Sequence, residues 1–191
     1  MGYDIEKHHR RSIRMKGYDY SLPGAYFVTL LSHGRACLFG EIKEGIIRQS
    51  DIGKLVSDCW LRIPNYFNDI GLDDYVLMPN HLHGIILIHE SVGKGEAFAE
   101  TIPSMVDTRS ANASPQRPKG TRPGSLGSII QNFKSVSTRL VNKRYFESGN
   151  KLWQRNYHER IIRNDRELNA IHQYIRDNLI FWDSDNENPT E

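Results

Sequence analysis

Tyr75-Val76-Leu77-Met78-Pro79-Asn80-His81-Leu82-His83-Gly84-Ile85-Ile86-Leu87-Ile88 is the stretch whose reading decides the fold. Residues 71–78 and 81–88 are both strand-like, and Pro79-Asn80 between them is a tight-turn signal, so the segment predicts an antiparallel hairpin. Side chains at i and i+2 of a strand share a face, so His81 and His83 present two imidazoles side by side at the start of the second arm. Ile85 and Leu87 continue that face while Ile86 and Ile88 occupy the other. A strand apolar on both faces belongs in the middle of a sheet. Two adjacent imidazoles are half of a metal site, although a pair opening a buried strand is by itself more often structural.

Upstream, Ala25-Tyr26-Phe27-Val28-Thr29-Leu30-Leu31 follows Pro23-Gly24 and reads as a first core strand. Residues 37–48 break at Glu44-Gly45 between two short apolar pieces, the pattern of an inserted hairpin. From Ser50-Asp51 the period becomes helical through Ile52, Leu55, Val56, Cys59, Trp60 and Ile63, with Ser50 or Asp51 as cap and an end before Pro64. Downstream, residues 91–124 collect Gly, Ser, Pro and charge without periodicity and are expected to form a flexible linker loop. After Ser125 an amphipathic basic helix is predicted on Leu126, Ile129, Ile130, Phe133, Val136, Leu140 and Val141. Residues 151–162 read as another strand. Asn164, three before Glu167, resembles a capping box and starts a last helix with the stripe Leu168, Ile171, Ile175, Leu179 and Trp182.

The predicted order, setting aside the inserted hairpin, is βαββαβ with an extra C-terminal helix. That is the α+β, ferredoxin-like split βαβ plan with an antiparallel sheet. The expectation is one domain over residues 1–182, with a basic leader in 1–20, and a disordered acidic tail in 183–191.

The 191 residues are enough for one ordinary domain. Two cysteines, Cys37 and Cys59, outside any CxxC pattern, exclude a disulfide framework and point to a reducing compartment, the cytoplasm by default. No secretory signature opens the chain, and no apolar run approaches the roughly 18–20 residues of a spanning helix, so no membrane partner is expected. The net charge is +2, yet residues 117–163 carry eleven Lys and Arg against two acids, and residues 164–191 carry two Arg against seven acids. A basic segment of that kind suits a polyanion such as nucleic acid, or is simply a solvated surface.

On the final helix Tyr174 and Asn178 stand four apart, about 40° around the axis, and both border the apolar stripe. A phenol and an amide therefore sit one turn apart at the edge of a helix–sheet interface. Singly, each has an ordinary reading: Tyr174 as a half-buried tyrosine, Asn178 as a residue near a helix C-terminus. Their coincidence with the histidine pair is what singles them out.

Met78 to Gly84, Leu152 to Asn164 and Tyr174-Ile175-Arg176-Asp177-Asn178, joined by Arg10 to Tyr20 and Gly24 to Thr29, resemble the single-tyrosine HUH (His-hydrophobic-His) transposases. The branch they most resemble is the REP-associated tyrosine transposases. The resemblance runs from about residue 10 to residue 182, outside the linker. It implies a metal-dependent endonuclease and strand transferase acting on single-stranded, hairpin-bearing DNA. His81, His83 and Asn178 would hold a divalent ion, Mg2+ first with Mn2+ as substitute, and Tyr174 would be the nucleophile that forms a 5′-phosphotyrosine. The family often shows Asn-Pro after the tyrosine pair, whereas here Asn178 precedes Leu179, so the usual helix stop is missing. Tyr157 is the alternative nucleophile, but Tyr174 alone has a matching ligand one turn later.

Candidate phosphate contacts are Arg10, Arg11, Arg14, Lys134, Lys143, Arg155 and Arg163, and Trp153 or Tyr157 can offer a ring to an unstacked base. His89 and His158 read as structural or surface residues. The chain is expected to act as a monomer or homodimer, and the short connection at 163–165 favours a site completed within one chain. Two other readings stand beside the enzyme: a non-catalytic module binding structured DNA or RNA, and a metal-dependent phosphoester hydrolase using the same histidines and water.

Overall fold

The computed structural model describes residues 15, 17–90, 121–146, 149–185 and 187–189. Its elements are β1 (Gly24–Leu31), β2 (Gly40–Lys43), β3 (Ile46–Gln49), α1 (Asp51–Leu61), β4 (Ile70–Leu77), β5 (His81–Ile88), α2 (Leu126–Tyr145), β6 (His158–Ile162) and α3 (Asp165–Asp177), with a short 3-10 turn at Trp182–Ser184. Strands β4-β5-β1-β6 form one antiparallel sheet in that order. This is the split βαβ arrangement: β5 separates β1 from β4, and β1 separates β5 from β6.

Alternation sorts the side chains of the two central strands onto two faces. Tyr26, Val28 and Leu30 of β1, with Leu82, Ile86 and Ile88 of β5, pack under α1 and α2 around Trp60, Ile129 and Phe133. Ala25 and Phe27 of β1, with Ile85 and Leu87 of β5, face α3 instead, against Ile171, Ile175 and Trp182. His81 and His83 share the parity of Ile85 and so belong to the α3 face.

Local signals produce the elements they predict. Ser50 caps α1 by accepting from the Gly53 amide, and Ser125 caps α2 by accepting from Ser128. The β2–β3 turn places Glu44 and Gly45 both at positive φ, 55° and 72°, as a two-residue hairpin turn of this twist requires. Gly84 is required by a close approach: a Cβ there would lie 2.5 Å from Cζ2 of the fully buried Trp60. Gly84→Ala is therefore expected to lower stability by about 1–3 kcal/mol, read as a lower denaturation midpoint at unchanged slope. A midpoint equal to that of the wild type would mean the indole yields without cost.

Two expectations need correction. Only His158–Ile162 of the 151–162 segment joins the sheet. Residues 152–154 instead hold to the end of β1 through Trp153 bridging Ser32 and Gln154 N donating to Leu31 O, and Lys134 Nζ draws the carbonyls of Gln154 and Asn156 to itself at 2.9 Å each. Carbonyls committed to an ammonium are not available to a strand ladder. The acidic tail expected to be disordered from Asp183 onward is ordered through its described residues. Trp182 is buried, Asn80 Nδ2 donates to the Glu187 carbonyl at 2.6 Å, and Arg35 pairs with Glu187 at 3.0 Å. Composition favoured disorder, but one buried indole and these two polar anchors return the chain to the sheet.

Candidate active site

β5 leaves the Pro79-Asn80 turn with His81 fully buried and His83 3 % exposed, their ring centroids 4.5 Å apart. Asn80 sets the protonation of its neighbour. Its amide nitrogen donates to the carbonyls of Arg35 and Glu187, so Oδ1 must be the atom facing His81 Nδ1 at 2.8 Å. An amide oxygen only accepts, hence Nδ1 carries the hydrogen and Nε2 keeps its lone pair. Across the β1–β5 ladder Thr29 pairs with His83, and its hydroxyl lies 2.8 Å from His83 Nδ1. Burial pulls the His81 pKa down to about 4 against the opposing pull of Asp185. Burial, and then the His81 charge, hold His83 well below the ordinary range. Both rings are therefore neutral at pH 7, the form that ligates a metal.

α3 is started by Asn164, whose Oδ1 accepts from Glu167 N at 2.9 Å. Glu167 returns the bond one residue early, accepting from Arg163 N at 3.0 Å. The helix is seated by its apolar stripe and by two polar ties to β4, His172 Nε2 to Asp73 at 3.0 Å and Arg176 to Asp74 at 3.3 Å. It ends at Asp177 without a proline, and in the turn that follows Ile180 N and Phe181 N both donate back to the Asp177 carbonyl. The result carries Tyr174 Oη to 3.2 Å from His83 Nε2. The phenol ring meets His83 edge-on at 5.1 Å and Phe27 at 5.9 Å, yet the residue keeps 47 % of its surface open to solvent. Burial of the phenol raises its pKa more than the Asn178 hydrogen bond lowers it. The protein alone thus leaves Tyr174 protonated, and its activation requires a further positive charge or base.

Asn178, one turn on, is buried, and its Oδ1 and His81 Nε2 are buried acceptors without a hydrogen-bond partner among the described residues. A buried acceptor left unpaired is costly unless something occupies it. His81, His83 and Asp185 each offer one ligand atom, all within 4.8 Å of one another, and Asp185 Oδ2 is 3.8 Å from His81 Nε2. Neutral imidazole with carboxylate and amide oxygen suits a divalent ion of the Mn2+ or Mg2+ kind. The residues present fit such an ion.

Asp185 was not singled out in the sequence, where it lay in the acidic tail. The available signal was Trp182, since an apolar anchor in the helix stripe brings the next turn back to the sheet.

The other candidate residues divide. Tyr157 packs against the α1–α2 side of the core, on the opposite face from the histidines, so the chain brings together Tyr174 and not Tyr157. Trp153 is 6 % exposed, donates Nε1 to Ser137 Oγ at 2.9 Å and packs on Phe39 and Phe133, so it has no free face for a base. Lys134 is occupied by its two carbonyls and is a structural tie of the 154–156 segment rather than a phosphate contact. Lys143, Arg155 and Arg163 are exposed, and Arg10, Arg11 and Arg14 lie outside the described residues. A groove of about 410 Å³ between α2 and residues 150–155 adds Arg139 and Lys151 beside Arg155, with no carboxylate among the described residues that line it.

Burial brings the Lys134 pKa down to about 8 from 10.5. A base that is easier to deprotonate folded than unfolded gives a stability that rises with pH across that window. Lys134→Met is expected to remove this rise and to lower stability at pH 7 by about 1–3 kcal/mol through the lost carbonyl bonds. Denaturant melts at pH 7, 8 and 9.5 check both; parallel pH dependence in the two proteins would contradict the assignment.

An antiparallel ferredoxin-like sheet, with a tyrosine from its closing helix set against a His-hydrophobic-His pair, defines the single-tyrosine HUH class of architecture. Residues 121–178 match the family described as "Transposase IS200 like". The chain is 40 % identical over 185 residues to an uncharacterized protein of Haemophilus influenzae, covering 96 % of this chain and 95 % of the relative. Its fold is similar to that of a REP-associated tyrosine transposase solved bound to a REP hairpin, with a TM-score of 0.54 and 14 % identity over 90 % of this chain and 73 % of that one. The match to the IS200-like transposases thus falls on the segment that holds α2, β6 and α3 with Tyr174. No helix among the described residues is long and apolar enough to cross a membrane.

Proposed function

We propose that this protein is a metal-dependent single-stranded DNA endonuclease and strand transferase acting on hairpin-bearing DNA. The observation that carries the reading is Tyr174 Oη facing His83 Nε2 at 3.2 Å within one chain, beside the unpartnered His81 Nε2 and Asn178 Oδ1. Tyr174 Oη forms the new bond to phosphorus, the bond to the 3′ oxygen breaks, the phenolic proton leaves to the solvent that reaches the ring, and the departing 3′ oxygen takes up a proton from the same solvent. The product pair is a 5′-phosphotyrosine and a free 3′-hydroxyl. Because the new ester conserves the phosphodiester, the reverse attack by another 3′-hydroxyl can rejoin strands.

His81, His83 and Asp185, with Asn178, are the residues that would hold a divalent ion, Mg2+ or Mn2+. When bound it supplies charge neutralisation at the scissile phosphate. Asn80 and Thr29 orient the two imidazoles. The ties from His172 and Arg176 hold α3, and with it Tyr174, over β4 and β5. The hairpin stem is assigned to the basic groove of Arg139, Lys151 and Arg155, where cations face solvent and no carboxylate stands among the described lining residues. The relative solved on a REP hairpin supports that substrate class.

Incubating the protein with labelled single-stranded hairpin DNA and Mg2+ or Mn2+ should give an adduct that survives denaturation and is lost on protease treatment. DNA binding without any adduct in either metal would favour a non-catalytic module. Metal-dependent cleavage persisting in Tyr174→Phe would favour hydrolysis by water.

A further inference from the structure

α3 crosses the sheet from the end of β6 towards β4 and leaves part of its face uncovered beside Tyr174. There a cavity of about 590 Å³ opens, lined by Phe27, Arg160, Glu167, Ala170, Ile171 and Tyr174. Phe27 and Arg160 are direct partners across the β1–β6 ladder, so an aromatic ring and a guanidinium stand side by side on its floor. Phe27 is half-buried and held from behind, stacked on His83 at 5.4 Å and 18°. Glu167 is fixed from below by the Arg163 amide to its Oε2, while its Oε1 meets Arg160 at 3.6 Å, a loose contact on an exposed guanidinium. The same cavity borders the phenol of Tyr174. An apolar platform, an exposed cation and an anchored carboxylate on one rim are the three elements that hold an unpaired nucleotide: a ring for the base face, a charge for the phosphate and an acceptor for an amino edge. The volume is that of a ligand site rather than of a surface dimple.

We propose that this trough seats the one unpaired nucleotide adjoining the scissile phosphate and selects its base. The base lies on Phe27, its phosphate meets Arg160, and the Glu167 carboxylate accepts from an exocyclic amine. Adenine, cytosine or guanine is therefore favoured there over thymine. This assignment rests on Tyr174 being the nucleophile, since that places the reacting phosphate at the mouth of the trough.

The test uses hairpin oligonucleotides with randomised single-stranded flanks. Wild type is sorted by covalent capture and Tyr174→Phe by filter retention, so that binding is read without chemistry, and both pools are sequenced. One flanking position should be strongly depleted of thymine in both pools. Phe27→Leu, which keeps the apolar packing but removes the stacking ring, should weaken retention about tenfold or more. Glu167→Gln, which can still accept from the Arg163 amide, should relax the base preference at that position while leaving other positions unchanged. Adducts that form with no preferred flanking base, or a preference unaltered in both variants, would overturn the trough assignment and leave the Tyr174 reading intact. A flank preference in the retained pools that Glu167→Gln relaxes, with no adduct under any metal, would keep the trough as a base-selecting site but overturn the nucleophile and, with it, the placement beside a scissile phosphate.

Discussion

Tyr174→Phe is expected to abolish the denaturation-resistant protein–DNA adduct while leaving the fold and hairpin binding in place. The change removes one oxygen, the atom of the half-exposed Tyr174 that lies 3.2 Å from His83 Nε2. Its cost to stability is one half-exposed hydrogen bond, about 0.5–1.5 kcal/mol, because the ring contacts with Phe27 and His83 remain. A gel of labelled DNA against protein, paired with a binding isotherm, separates the two effects. Adduct in the variant at the wild-type level would transfer the nucleophile to another residue, and Tyr157→Phe is the control that names the alternative. Because Tyr157 sits on the other side of the sheet, that control should behave as wild type in covalent capture.

The second large effect is expected at the histidine pair. His81→Ala should lower Mn2+ binding by more than about a hundredfold and remove metal-dependent cleavage, since the ring offers a lone pair at Nε2 that none of the described residues satisfies. His81 is fully buried, so the alanine also leaves a cavity, and His81→Gln, which refills much of the space, keeps the reading tied to ligation rather than to folding. Asn80→Ala should act through His81. Without Oδ1 to accept from Nδ1, the imidazole is free to take the other tautomer, and affinity is expected to fall about 10- to 100-fold. Calorimetric titration with Mn2+ checks the series. Equal affinity in Asn80→Ala and wild type would remove the tautomer argument, and unchanged affinity in both His81 variants would place the ion elsewhere.

Asp185 adds a structural consequence to this site. Its carboxylate comes from a turn anchored by Trp182, and that turn is in turn held by Asn80 and Arg35 through Glu187. Asn80 is therefore shared: one side of its amide fixes the His81 ring, and the other fixes the segment that carries Asp185. A single polar residue in the Pro79-Asn80 turn thus couples the protonation of the His81 ring to the placement of a carboxylate more than a hundred positions away in the chain.

What the sequence alone determined was everything written in short-range periodicity. The two-residue alternation through His81-Leu82-His83 put both imidazoles on one face, Ser50 or Asp51 and Asn164 marked the starts of their helices, and the order of elements specified the split βαβ sheet. These follow from backbone geometry and neighbours a few residues away, so they are legible without coordinates. The spacing of Tyr174 and Asn178 was equally local, but their seat opposite His83 depended on α3 crossing the sheet. Only the tertiary structure decided which aromatics and cations face solvent. Trp153 turned inward to Ser137, Lys134 was consumed by two carbonyls, and Tyr157 fell on the far face, because each is settled by long-range partners that composition does not encode. Asp185 shows the same limit from the other side: an acidic tail polar enough to read as disordered is drawn to the site by one buried indole, a contact whose free energy exists only once the sheet is formed.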